Sequence, residues 1–202
     1  MDDHHTAYLG AQLYSRSQVL TKPCPVPATP GVYGWWFDQL PASDIDTTGC
    51  HKRDGLTLLY AGISPSKPPT NGKAPSRQNI RKRIRYHYKG NAYGSTLRLT
   101  LGSLLSEELG IQLRVVGSGR LHFHEGEWAI NDWMDKHAFV SWVAHPEPWV
   151  LEDDLIESYD LPLNLMGNTR NPYHARLSKA RSTARVRALE LPVLGNAGKR
   201  PS

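Results

Sequence analysis

The sequence predicts an α+β fold in which a small central, mostly antiparallel β-sheet is flanked by helices. The first observation is a pair of strand-like segments, 31–37 and 56–63, which are aromatic or apolar and are bounded by turn residues. The second is the order that follows, in which helical patterns alternate with shorter strand-like segments. Two early strands followed by mixed elements are typical of an α+β domain.

The first two strands are separated and followed by segments that break regular structure. The strand at 56–63 is apolar on both faces, which predicts an inner position in the sheet. Residues 38–55, between the two strands, are expected to form a polar loop. Residues 64–75 hold four prolines, so we expect an irregular loop there as well.

Two helices are predicted after this second loop. In the first helix Ser76 is the expected N-cap, apolar or aromatic residues recur at every fourth position, and Gly90 ends the helix. The second helix covers about 95–109, with leucines on its buried face. Arg83 and His87 lie four residues apart in the first helix, so both are expected on one side of it.

The remaining elements follow in quick succession. In chain order we expect a strand at 112–116, a short strand or loop at 121–125, a helix at 128–137 and a strand at 138–143. A last helix contains Leu151, and Pro162 prevents its continuation.

We divide the chain into an arm, one domain and a tail. Residues 1–29 end in a proline-rich run and are expected to pack on the domain as an arm. Residues 30–166 form the domain, since they contain the predicted strands and helices. Residues 167–202 form a basic tail without hydrophobic periodicity, and its end, from Leu194 on, is expected to be disordered. Residues 168–174 could contact nucleic acid or pack back on the domain.

The composition is that of a basic globular protein. Hydrophobic residues make up 39% and charged residues 21% of the sequence, which excludes an intrinsically disordered chain. The net charge is +5 at pH 7, and two clusters without acidic residues hold many of the cations. Such clusters suit phosphate contacts, although a solvated helix face and a loose tail would also explain them. The residues expected to bind nucleic acid are Arg77, Arg81, Lys82, Arg85, Lys89, Arg170 and Arg176.

A cytoplasmic location is expected. The N-terminus has neither a basic n-region nor an apolar h-region, and no apolar run approaches the length of a membrane span. The two cysteines, Cys24 and Cys50, are too few for a disulfide scaffold, so we expect reduced thiols.

Glu152 stands out among the acidic residues. Leu151, Leu155 and Ile156 share one helical face, and Glu152 lies beside this apolar stripe. A carboxylate in such a place needs a partner, and a divalent cation is one candidate. The alternative is that Glu152 is an ordinary acid in the first turn of a helix, where the helix dipole favours negative charge.

Residues spread over the chain together carry a family resemblance. A Gly-Val-Tyr run lies at 31–33 on the first strand, and a Tyr-Ala-Gly run lies at 60–62 on the second. Arg83 follows on the next helix, and Glu152 and Asn164 come twelve residues apart on and after a later helix. This order resembles the GIY-YIG nucleases and implies a GIY-YIG-like fold.

The resemblance covers about residues 30–166. It departs from the family pattern at Ala61, where isoleucine is usual, and at Val32, which replaces isoleucine with another residue that suits a strand. Residues 38–55 are an insertion between the two tyrosine-bearing strands. None of these departures changes a side chain that is expected to take part in catalysis.

The resemblance implies a metal-dependent endonuclease that hydrolyses phosphodiester bonds of DNA. Tyr33 would be the general base that activates water, and Tyr60 would orient the water or the scissile phosphate. Arg83 would hold the non-bridging oxygens with its planar fork of donors. Because the pKa of an ordinary tyrosine is roughly 10, nearby cations would have to lower the pKa of Tyr33.

The same resemblance assigns the metal and the remaining residues. Glu152 would bind the metal ion, for which Mg²⁺ is typical and Mn²⁺ is the alternative. His87 would assist the base or contact phosphate, and Asn164 would position the glutamate or fix the packing of sheet and helix. Arg83 followed by His87 resembles the restriction-endonuclease branch, whereas the stretch from Glu152 to Asn164 resembles the excision-repair branch in pattern. Because small stand-alone members often cut DNA as restriction-like enzymes, we expect DNA as the partner and a homodimer.

Each of these residues also has an ordinary structural interpretation. Tyr33 and Tyr60 could be aromatic residues of the core. Arg83 and His87 could be a surface charge and a packed side chain, and Asn164 could be a turn residue. At the level of function, the alternatives are a non-catalytic nucleic-acid-binding module of the same fold and a protein-interaction domain. The joint order of the residues favours the nuclease.

Two other groups could bind a metal. His122 and His124 alternate on one predicted strand and could bind zinc, but a zinc site needs further ligands. Cys24, Cys50 and His51 match no spacing that is typical of zinc sites. Solvent-facing strand residues are the alternative for the two histidines.

Overall fold

A four-stranded antiparallel sheet lies at the centre of the computed structural model, which describes residues 3–117 and 119–198. The strands of these residues are β1 (Gly31–Phe37), β2 (Lys52–Arg53), β3 (Leu56–Ser64), β4 (Arg114–Val116), β5 (Arg120–His122) and β6 (Ala138–Ala144). The helices are α1 (Asp3–Gly10), α2 (Arg16–Leu20), α3 (Ile80–Lys89), α4 (Thr96–Leu104), α5 (Gly126–His137), α6 (Pro148–Ser158) and α7 (His174–Glu190). The order in the central sheet is β2-β3-β1-β6, and β4 pairs with β5 in a second sheet. The predicted α+β class is confirmed.

Strand β1 organises the central sheet because it pairs on both sides. It runs antiparallel to β3, with Tyr33 opposite Gly62, and antiparallel to β6 along its whole length. Successive side chains of a strand point to opposite faces. Tyr33 therefore joins the core under α3 and α5, whereas Val32 and Trp36 join the core under α1 and α6.

Helix α3 begins later than expected. The predicted N-cap was Ser76, but the helix begins at Ile80 and its N-cap is Asn79. The Asn79 side chain accepts a hydrogen bond from the backbone N–H of Lys82 at 3.0 Å, which satisfies a free donor of the first turn. The hydroxyl of Ser76 instead accepts from Gln78 N–H within the preceding loop. Gly90 ends the helix as predicted.

The segment between α4 and α5 is less regular than predicted. Helix α4 ends at Leu104 and not near 109, and turns follow up to Gly110, whose φ is +62°. The hydroxyl of Ser106 donates to the carbonyl of Ser103, a local bond that competes with helix continuation. The strands β4 and β5 that follow are three residues each and pair only with each other among the described strands.

The segment 167–202 contains a helix that the sequence analysis did not predict. Helix α7 has 17 residues, and its buried residues Leu177 and Ala188 pack toward α4 and β4. Leu194, where disorder was expected to begin, pairs with Val116 of β4. That expectation is therefore wrong at Leu194, while residues 199–202 lie outside the described part of the chain. The division into arm, domain and tail stays a prediction.

Residues 3–29 pack on the central sheet and on α6. The backbones of Tyr14 and Val140 exchange two hydrogen bonds of 2.9 Å, which extends the pairing of β6. From α1, the His5 ring contacts Asp154 of α6 at 2.7 Å and the Tyr159 hydroxyl at 3.1 Å. Helix α1 is thereby tied to the helix that carries Glu152.

The described helices differ from membrane-spanning helices in length or in polarity. The longest described helix, α7, contains repeated arginine and lysine residues. Within residues 3–117 and 119–198, no helix has the length and apolar character that crossing a membrane requires.

Candidate active site

Tyr33 and His87 form a buried pair between β1 and α3. The hydroxyl oxygen of Tyr33 lies 2.8 Å from Nε2 of His87. Tyr33 is 1% exposed and His87 is fully buried. The alternation of β1 directs Tyr33 toward α3, and the helical period places His87 beside Ile84 and Tyr88 on the buried face of that helix.

Ser95 continues this pair into a chain of hydrogen bonds. Its Oγ lies 2.7 Å from Nδ1 of His87 and accepts the backbone N–H of Arg98 at 3.1 Å as the N-cap of α4. The Ser95 oxygen is therefore the acceptor toward Arg98, and its hydroxyl hydrogen is free to be donated. Among the described residues, Nδ1 of His87 is the acceptor for that hydrogen. A neutral His87 that accepts at Nδ1 carries its hydrogen at Nε2 and donates it to the oxygen of Tyr33.

Burial sets the protonation of both members of the pair. Burial raises the pKa of Tyr33 well above the usual tyrosine value, and the charge of nearby Arg83 only partly offsets it. Among the cations expected to lower the pKa of Tyr33, Arg83 acts in that direction but does not outweigh burial in the protein alone. Burial and then the charges of Arg83 and Arg98 lower the pKa of His87 well below the usual value, so its ring is neutral at pH 7.

The turn at 94–96 contacts three of the expected site residues. The guanidinium of Arg83 donates to the carbonyl of Gly94 at 2.7 Å. Ser95 contacts His87, and the hydroxyls of Thr96 and Tyr60 lie 3.5 Å apart. The sequence analysis missed this turn, and its only available signal was that Ser95 starts a helix.

A fully buried ion pair supports the same turn. Arg98 of α4 is completely buried, and two of its nitrogens donate to a carboxylate oxygen of Glu127 at 2.6 and 2.8 Å. Arg98 also donates to the carbonyl of His87, and the other carboxylate oxygen of Glu127 accepts the N–H of Ala92. These bonds fix the backbone on both sides of the 94–96 turn.

Glu152 on α6 completes the group. The apolar residues of α6 pack against the central sheet, and Glu152 is partly buried beside them. Burial, and then the charge of Asp153, raise the pKa of Glu152 to about 7, while Arg83 acts to lower it. The charge of Glu152 in turn raises the pKa of both Tyr33 and Tyr60. The structure thus brings Glu152 near the residues that β1, β3 and α3 contribute.

The surroundings of Glu152 fit a divalent cation. Its carboxylate has no hydrogen bond or ion pair within residues 3–117 and 119–198, although burial makes a partner valuable. A hard cation such as Mg²⁺ needs few protein carboxylates because it keeps several of its waters. A single unpaired carboxylate near an arginine and two tyrosines suits such an ion together with a phosphate.

Asn164 lies at the open edge of β3 and not within hydrogen-bonding reach of the tyrosine hydroxyls. Its side chain accepts from Ala61 N–H at 2.9 Å and donates to Ala61 C=O at 2.8 Å. Leu163 N–H donates to Leu59 C=O in the same way. Residues 163–164 therefore take the place of a partner strand where the short β2 does not reach.

The comparison with known families bears directly on this arrangement. The sequence model of the GIY-YIG catalytic domain matches residues 31–183, which is more than half of the chain. The chain belongs to the GIY-YIG family. Comparisons with curated proteins and with solved structures give no significant match. The matched range begins with β1 and ends inside α7, so it extends beyond residue 166.

Membership gives this GIY-YIG protein a nuclease-type domain. Nucleases of the family act on nucleic acid and generally depend on a divalent metal ion. The resemblance inferred from the two tyrosine-bearing strands is confirmed at the level of the family. The expected homodimer finds no support.

The basic residues of the GIY-YIG domain fall into two groups. Arg81 donates to the carbonyl of Val26 and Arg85 to that of Val19, so both hold the N-terminal arm. Arg170 and Arg176 likewise make intramolecular bonds, to carbonyls near the end of α6 and to Asp44. Of the seven residues expected to bind nucleic acid, Arg77, Lys82 and Lys89 have exposed side chains without such a bond in the described residues.

The two further groups that could bind zinc are not assembled into sites. His122 is buried, and its Nδ1 accepts the backbone N–H of His124 at 3.0 Å. Cys24 and Cys50 are free thiols. Across residues 3–117 and 119–198, no three histidine, cysteine or acidic side chains cluster in a way that could hold a metal.

Proposed function

We propose that this GIY-YIG protein is a metal-dependent endonuclease that hydrolyses the phosphodiester bonds of DNA. The observation that carries the proposal is the unpaired carboxylate of Glu152, which lies near Arg83 and the Tyr33–His87 pair. The family match supports nuclease chemistry in general. The exposed cations at Arg77, Lys82 and Lys89 suit a polyanionic substrate.

Glu152 would hold the divalent cation, with Mg²⁺ favoured and Mn²⁺ as the alternative. Such an ion would supply positive charge that neutralises the phosphate and the leaving oxygen and that lowers the pKa of Tyr33. Arg83 would bind the non-bridging oxygens of the scissile phosphate while it also donates to Gly94. The charges of the metal ion and of Arg83 would compensate for the hydration that the phosphate loses on entering the site.

Tyr33 would accept the proton of the attacking water as its phenolate form. Nε2–H of His87 and the nearby Arg83 guanidinium would stabilise that phenolate by hydrogen bonding and charge. His87 would thus act as a donor that stays neutral, in line with its lowered pKa. Tyr60, placed by Thr96, would orient the water or the phosphate.

The remaining predicted residues would act indirectly. Asn164 would hold the edge of β3 through Ala61, next to Tyr60 in the chain. Lys82 and Lys89, with Arg77, would contact the DNA backbone. Arg81 and Arg85 would serve mainly to keep the arm on α3.

Plasmid cleavage tests the proposal against the alternative of a binding module. Supercoiled DNA is incubated with the protein and Mg²⁺ or Mn²⁺, with EDTA, and with the Glu152→Ala variant. We expect nicking or linearisation that needs the metal and Glu152. If both proteins retard DNA in a salt-sensitive manner and neither cuts it, the nuclease proposal fails and a non-catalytic nucleic-acid-binding module replaces it.

A further inference from the structure

A cleft of about 640 Å³ is lined in part by Lys82 and Arg83, and its other lining residues have no role in the mechanism above. Its walls come from α3, from the loop that precedes α3, and from the turn that follows α3. The side chains of Lys82 and Arg83 give it positive charge, and no acidic residue lies among those that line it. Its volume is in the range of sites that hold small organic molecules.

Two tyrosine rings form the aromatic part of this cleft. Tyr93 is 64% exposed and Tyr86 is 38% exposed, so part of each side chain is open to a ligand. The guanidinium of Arg120 lies over the Tyr93 ring at 5.8 Å from its centroid. Tyr93 lines the cleft and Arg120 does not, so the ring contributes to the cleft and also contacts a cation that is not part of the lining.

The backbone next to Tyr93 is held against Arg83. The carbonyl of the next residue, Gly94, accepts the 2.7 Å hydrogen bond from Arg83. The ring of Tyr86 lies against Gly94 so closely that a Cβ there would come within 2.5 Å of the Tyr86 hydroxyl oxygen. The Tyr86 hydroxyl also donates to Asn91 at 3.1 Å. A group bound on Tyr93 would therefore share one cleft with a phosphate bound by Arg83, because both side chains line it.

Polar side chains line the opposite wall. Ser64 ends β3, and Ser66, Ser76 and Gln78 belong to the loop before α3. Hydroxyl and amide groups both donate and accept hydrogen bonds, so they can meet the edges of different bases. An aromatic face, a polar wall and cations at the rim together match the chemistry of a nucleotide.

We propose that this cleft binds one unpaired nucleobase of the DNA, stacked on Tyr93, next to the phosphate that Arg83 holds. The inference rests on the proposed function and narrows its substrate to DNA with an unpaired nucleotide beside the cut. In a continuous duplex the faces of each base are covered by its neighbours, so only a base outside the stack can lie on an aromatic ring. If the cleft bound only continuous duplex, no base face would be available to stack on the Tyr93 ring.

Binding experiments with the Glu152→Gln protein test the assignment without cleavage. Two DNA hairpins carry one 2-aminopurine and differ only in the thymine opposite it, so that this base is paired in one hairpin and bulged in the other. We expect tighter binding of the bulged hairpin and quenching of its fluorescence. Tyr93→Ala should weaken binding of the bulged hairpin by at least about fivefold, since stacking on an aromatic ring contributes about 1–3 kcal/mol per base. Tyr93→Phe, which keeps the ring, should preserve the preference.

The outcomes separate the cleft from the nuclease. Equal affinity for the two hairpins, or an equal loss on both from Tyr93→Ala, overturns the cleft assignment. The wild-type protein is then incubated with the same hairpins and Mn²⁺. If the protein binds the bulged hairpin preferentially but cuts neither hairpin, the cleft assignment stands and the nuclease proposal is overturned. If wild-type and Tyr93→Ala protein cut both hairpins equally, the cleft assignment is overturned and the nuclease proposal stands.

Discussion

Nε2 of His87 lies 2.8 Å from the hydroxyl oxygen of Tyr33, and Oγ of Ser95 lies 2.7 Å from the other ring nitrogen. Ser95 links the imidazole to the N-terminus of α4, since its oxygen also accepts Arg98 N–H. The direction of the hydrogen bonds in this chain decides whether His87 donates to Tyr33 or accepts from it. Donation would make His87 a stabiliser of the phenolate.

Substitution of His87 distinguishes a donor from a proton acceptor. If Nε2–H donates to Tyr33, His87→Gln keeps an N–H near that position, whereas His87→Ala removes it. We expect His87→Ala to lower the single-turnover cleavage rate by about 100-fold, and His87→Gln to keep about ten times more activity than His87→Ala. Equal losses in the two variants would contradict the donor role.

Ser95 should determine the tautomer of His87. We expect the nitrogen-15 chemical shifts of His87 to show hydrogen at Nε2 in the wild-type protein and in Ser95→Thr, which keeps a hydroxyl. In Ser95→Ala, Nδ1 loses its donor, so the population of that tautomer should fall. A wild-type spectrum with hydrogen at Nδ1 would show that the assigned direction is reversed.

The buried His87 should make stability depend on pH. Its pKa is lowered in the folded protein, by burial and by Arg83 and Arg98, and returns to about 6.5 on unfolding. Below pH 6.5 the unfolded chain therefore binds a proton that the folded one does not, and the free energy of unfolding falls by up to about 1.4 kcal/mol per pH unit.

The stability that the neutral imidazole of His87 provides is fully present above pH 6.5, and it is lost as the pH falls from 6.5 toward the pKa of His87 in the folded protein. Urea unfolding at pH 7.5, 6 and 5 should show a smaller loss of stability for His87→Gln than for the wild-type protein. The neighbouring groups that face the ring, Tyr33, Trp35 and Ser95, stay neutral over this range. Parallel pH profiles for the two proteins would contradict the buried, neutral imidazole.

Asn164 should contribute to stability through Ala61. Asn164→Ala leaves the N–H and C=O of Ala61 without partners, which should lower the free energy of unfolding by about 2 kcal/mol or more. Asn164→Asp keeps an acceptor for the N–H but places a buried carboxylate against the C=O of Ala61, so it should be more destabilising at neutral pH than at low pH, where the protonated acid can donate. If urea denaturation instead shows unchanged stability while cleavage is lost, Asn164 acts on the reaction and not on the sheet edge.

Patterns within short stretches predicted much of the fold. The strand at 31–37 and the burial of Ile130, Trp133 and Met134 follow from local composition and period, and the structure agrees with both. Helix α7 was missed because it has only two buried residues, and packing on α4 and β4 holds it in place. Its basic composition alone indicated a loose tail.

The candidate site was predictable only where the family resemblance or a helical period pointed to a side chain. The spacing of Arg83 and His87 placed both on one side of α3, but it gave no indication of the Gly94–Thr96 contacts. Those contacts depend on a turn that folds back onto α3, and the periodicity of apolar residues in the sequence does not indicate such a contact. Arg81 and Arg85 look in sequence like phosphate ligands, yet they hold carbonyls of the arm.

The measurement that tests the central claim most directly is the single-turnover rate of DNA cleavage in Mg²⁺ for Glu152→Gln beside Glu157→Gln. Both variants remove one carboxylate from α6, but Glu157 is exposed and Glu152 lies near Arg83. We predict a loss on the order of 100-fold or more for Glu152→Gln, because a lost metal ligand removes charge neutralisation at the phosphate. Glu157→Gln should cleave at the wild-type rate. Equal rates for wild-type and Glu152→Gln protein would contradict the account.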